Sequence, residues 1–63
     1  MFRAQFYRVR RGQPEDIGLP VVLGATYLDS AQDEALGLVP PAEANCVKIL
    51  ADDQVVSRHG FAL

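Results

Sequence analysis

The chain has 63 residues, 49% of them hydrophobic, and reads as a single domain spanning 1–63; at this length folding buries only about 60% of the surface that the unfolded form exposes. One cysteine, Cys46, and one histidine, His59, exclude a disulfide within the chain and fall short of the usual ligand set of a structural zinc site. The net charge of −2 is unevenly spread: Arg3, Arg8, Arg10 and Arg11 precede every acid, and the rest of the chain holds Lys48 and Arg58 against eight carboxylates.

The first eleven residues carry four arginines and lack the apolar run of a signal peptide. No stretch approaches the ~20 apolar residues of a membrane span. A lone thiol suits a reducing compartment. These features predict a cytoplasmic protein, complete from Met1, with no membrane association, cofactor or metal.

Residues 2–10 (FRAQFYRVR) alternate Phe2, Ala4 and Phe6 with Arg3, Gln5 and Tyr7, the period of a half-buried strand. Gly12, Pro14, Glu15, Asp16, Gly18 and Pro20 then read as loop. Residues 21–28 (VVLGATYL) are apolar and of strand length, with Gly24 marking a bulge or a close backbone approach. Asp29 and Ser30 are candidate N-caps for a helix over 31–36, with Gly37 as a left-handed C-cap and Pro40 and Pro41 beyond it. Residues 41–45 (PAEAN) suit one further helical turn. Residues 46–51 (CVKILA) and 54–59 (QVVSRH) form a hairpin around Asp52-Asp53. The expected fold is α+β: a small ββαββ domain, its sheet mostly antiparallel, with one short helix packed on one face.

A tight turn at Asp52-Asp53 pairs Leu50 with Val55, Ile49 with Val56, Lys48 with Ser57 and Cys46 with His59. Lys48 in mid-strand marks its own face as the one away from the core. Phe2, Phe6, Val47, Ile49 and Val56 are therefore the expected core under the helix. The opposite face keeps Tyr7, Val9, Leu50, Val55 and Phe61, a mixed apolar surface that suits a contact with a second chain.

A Cys46–His59 pair across two strands is the minimum for thiolate chemistry, yet no orienting group or oxyanion donors accompany it. The acids fit no calcium loop, and the isolated glycines form no phosphate loop. The sequence thus predicts a non-enzymatic binding or protein-interaction module that self-associates as a homodimer, or takes a protein partner, through Tyr7, Val9, Leu50, Val55 and Phe61. The alternative is a nucleic-acid-binding protein using the N-terminal strand. In that reading Arg3, Arg8, Arg10 and Arg11 neutralise phosphate and Tyr7 stacks a base. An acidic pI near 5.0 and the lack of a nucleic-acid-binding motif weigh against it.

Overall fold

The computed structural model describes residues 1–61. Strand β1 (Phe2–Arg10) is followed by β2 (Gln13–Asp16), β3 (Val21–Val22), helix α1 (Leu28–Gly37), β4 (Cys46–Ala51) and β5 (Gln54–Gly60). All pairings are antiparallel. The sheet order is β2-β1-β4-β5, and β3 joins the same edge of β1 as β2. The expected α+β class and ββαββ order hold once β2 and β3 are counted as one interrupted strand.

The segment expected to be loop contains β2. Arg11 and Gly12 both take positive φ, +54° and +77°, so a two-residue turn folds the chain back and pairs Arg10 with Gln13. Pro14 is tolerated because β2 lies at the sheet edge, where a missing N–H costs no ladder bond. The ladder continues through the Ile17 N–H, which donates to Phe6 O at 2.9 Å. It breaks over residues 18–20 and resumes where Val21 faces Ala4. Gly18 turns the chain there at φ +74°. The buried Gln5 amide fills the gap, with Nε2 within 2.9–3.3 Å of the carbonyls of Phe6, Ile17 and Gly18.

The expected strand over 21–28 ends after Val22, for a reason that lies in the helix. The Glu34 carboxylate accepts the Gly24 N–H at 3.0–3.1 Å and the Ala25 N–H at 3.1 Å, diverting both from a strand ladder. The helix then begins at Leu28, ahead of the expected caps. Tyr27 occupies the N-cap position without a side-chain bond, and its carbonyl accepts the Ala31 N–H at 2.9 Å. Asp29 falls in the first turn, where its charge suits the positive end of the helix dipole. Gly37 does not take positive φ, unlike Gly12 and Gly18. The last turn closes instead through the Leu38 N–H on Ala35 O at 3.2 Å. Over 41–45 the expected turn forms, with the Ala44 N–H on Pro41 O at 3.0 Å.

The core lies between α1 and one face of the sheet. Ala31 and Ala35, one turn apart on the helix, meet Ala4, Phe6, Leu23, Ala44, Val47 and Ile49. Alanines on both layers let the helix sit close to the strands, so Val47 and Ile49 are fully covered. Phe2, Ile17, Ala25, Leu28, Leu38 and Phe61 close the margins.

Candidate interaction surface

The hairpin β4–β5 turns where expected, and Asp52 and Asp53 both adopt positive φ, +50° and +68°. Ala51 faces Gln54 and Leu50 faces Val55. Beyond that point a β-bulge shifts the register by one: Ile49 faces Ser57, Lys48 faces Arg58, Val47 faces His59 and Cys46 faces Gly60. Val56 is the extra residue, and every side chain after it changes face relative to the unbulged register.

Three of the sequence-based placements are corrected by this one residue. Val56, expected in the core, is 42% exposed on the outer strand. His59 shares the face of Val47, while Cys46 lies on the other, so the proposed Cys46–His59 pair does not form. The imidazole Nε2 meets Ser57 Oγ at 2.8 Å on the helix side instead. Phe61, assigned to the far face, packs on the core, its ring 6.1 Å from that of Phe6.

The face away from the helix reads across β1, β4 and β5 as three rows: Arg3, Leu50 and Val55; Gln5, Lys48 and Arg58; Tyr7, Cys46 and Gly60. Its centre is closed by polar contacts. Lys48 Nζ bonds Asp16 Oδ1 at 3.0 Å, and the same ammonium sits 5.4 Å from the centre of the Tyr7 ring, a cation–π contact. Tyr7 is 5% exposed as a result and presents no open ring to a partner or a base. Val9 is exposed, but it stands at the far end of β1, beside Pro14. Of the five expected contact residues, only Leu50 and Val55 lie side by side, at the outer end of the face, and Val56 adjoins them along β5.

The two sheet edges differ. On one, Pro14, the acids Glu15 and Asp16, the break at 18–20 and the two-residue β3 all oppose pairing with another strand. On the other, β5 presents seven residues with no proline and a single charged side chain, Arg58. Val55 and Val56 are 38% and 42% exposed there. Sequence alone could have flagged this edge only with the strand order in hand.

The arginines do not form one patch. Arg3 stands on the far face at one end of β1, with Asp53 at 3.9 Å. Arg8 and Arg10 lie on the helix-side face of the other end, and Arg11 sits in the turn. Arg3 and Arg10 are separated by roughly 23 Å of strand at ~3.3 Å per residue. Arg8, Arg10 and Arg11 make no ion pair among the described residues. An open depression of about 160 Å³, lined by Met1, Arg3, Leu50, Asp52 and Asp53, is below the usual volume of a small-molecule site. No described helix is long and apolar enough to cross a membrane. Comparison with protein-family models, curated proteins and solved structures finds no match to this chain.

Proposed function

We propose that this protein is a non-enzymatic interaction module that self-associates through β5 and the adjoining Leu50–Val55 corner of the sheet. The observation that carries the reading is the pair of exposed valines, Val55 and Val56, on a seven-residue edge strand that has no proline and is interrupted only by one bulge and one charged side chain, Arg58. A thin core adds to it, since a small domain gains burial from a second copy. A two-fold contact uses the same strip on both partners. An antiparallel meeting centred on Ser57 keeps the two Arg58 side chains apart, so the strand does not oppose like charges to itself. The same reading assigns the protein to the cytoplasm, supported by the free, half-exposed thiol of Cys46.

Backbone amide exchange tests this reading. Outward-facing amides of β5 should exchange more slowly at high protein concentration than at low, while those of β2 should not change. Equal exchange of β5 at both concentrations would count against the edge as the contact.

A further inference from the structure

We infer that the β1–β2 hairpin tip is a docking site for the phosphate backbone of duplex DNA. Residues 8–13 carry three arginines and no acid. Arg10 and Arg11 are exposed and Arg8 half-buried, and none is ion-paired among the described residues. The hairpin also extends past the rest of the sheet. Strand β4 begins opposite Tyr7, and beyond it the Asn45 side chain, not a strand, hydrogen-bonds β1 at Val9 among the described residues. What remains is a narrow two-stranded ribbon, the shape that the major groove of B-DNA admits.

A second observation supports the site independently of charge. Arg11 is held at φ +54° in a turn position where Asn or Gly fits without strain. A long basic side chain kept in the left-handed region is an unfavourable local choice, of the kind that accumulates at functional positions. The structure also selects among nucleic acids. Single strands are held largely by bases stacked on exposed aromatic rings. Tyr7 is buried under Lys48, and the exposed Tyr27 belongs to the start of the helix rather than to the hairpin. Phosphate contacts alone suit a duplex and carry no sequence preference.

Fluorescence anisotropy with a labelled DNA duplex of about 20 base pairs and with its isolated strand, at low salt, tests the assignment. Three phosphate contacts predict a slope of log affinity against log salt of about −2.7, so binding weakens by roughly several-hundredfold from about 20 to about 200 mM salt. Replacing Arg8, Arg10 and Arg11 together by Gln should abolish binding and leave the circular dichroism spectrum unchanged, whereas Arg3→Gln should bind as the wild type does. Arg11→Asn should raise the melting temperature by relieving the turn and at the same time weaken binding. The assignment is overturned by absence of wild-type binding at low salt, by preference for the single strand, by equal losses in Arg3→Gln and the triple variant, or by an Arg11→Asn protein that gains stability at undiminished affinity.

Discussion

Asn45 does with a side chain what a strand residue does with its backbone. Its Oδ1 accepts the Val9 N–H at 3.0 Å and its Nδ2 donates to Val9 O at 3.3 Å. Its own N–H donates to Tyr7 O at 3.1 Å, and its carbonyl accepts the Phe61 N–H at 2.9 Å. One residue thereby ties β1 to the end of β5. Asn45→Ala removes the two side-chain bonds and should cost about 1–3 kcal/mol in a denaturant titration, at ~0.5–1.5 kcal/mol net per bond. A change below about 0.3 kcal/mol would show that water replaces the amide at no loss. Nothing in the order of residue types marks Asn45 for this role, since an Asn after a Pro-rich turn reads only as loop. The same holds for Gln5, whose position in an alternating strand correctly sets its face but not its burial. Its amide is buried because the carbonyls of Ile17 and Gly18 arrive from another segment. Tyr7 likewise sits on the predicted face, and only Lys48 and Asp16, distant in the chain, close it.

Among the elements, the hairpin β4–β5 shows how far local chemistry reaches. Its turn was legible because two consecutive Asp residues tolerate positive φ and stand between apolar runs. The bulge was not, because an extra valine in QVVSRH leaves no mark on composition. That one residue put His59 and Phe61 on the face opposite the one the unbroken register implies, and Val56 itself is left exposed on the outer strand. Asp53 at φ +68° is the position where glycine is favoured in such a turn. Its contact with Arg3, at 3.9 Å and largely solvent-exposed, contributes little. Asp53→Gly should therefore stabilise the fold by about 0.5–1 kcal/mol, seen as a higher denaturant midpoint at unchanged slope. A lower midpoint would mean that the Asp side chain holds the turn more firmly than its geometry indicates. The helix offers the parallel case. Candidate caps at Asp29 and Ser30 were reasonable on residue type, but the Glu34 carboxylate fixes the incoming chain at Gly24 and Ala25 and lets the first turn form earlier.

For the whole molecule, fold class and most of the core followed from alternation and element length, because Phe6, Val47 and Ile49 sit on faces that periodicity alone assigns. Ile49→Ala should cost ~2–5 kcal/mol, since Ile49 is fully buried and the alanines around it cannot reach into the space it leaves. A loss under about 1 kcal/mol would contradict the placement of the core. The contact surface was less legible, because it depends on which strand ends at an edge, and strand order is a property of the assembled sheet. The Lys48–Asp16 bridge over Tyr7 closes the middle of the face that residue types left open, and the exposed apolar surface of the far face narrows to its corner beside β5. Sedimentation equilibrium across a hundredfold dilution, comparing the wild type with Val56→Lys, tests the proposed self-association most directly. The proposal predicts a wild-type mass that moves from dimer toward monomer on dilution and a folded, monomeric Val56→Lys protein throughout. A wild type that stays monomeric at the highest concentration, or a Val56→Lys protein that dimerises like the wild type, would contradict it.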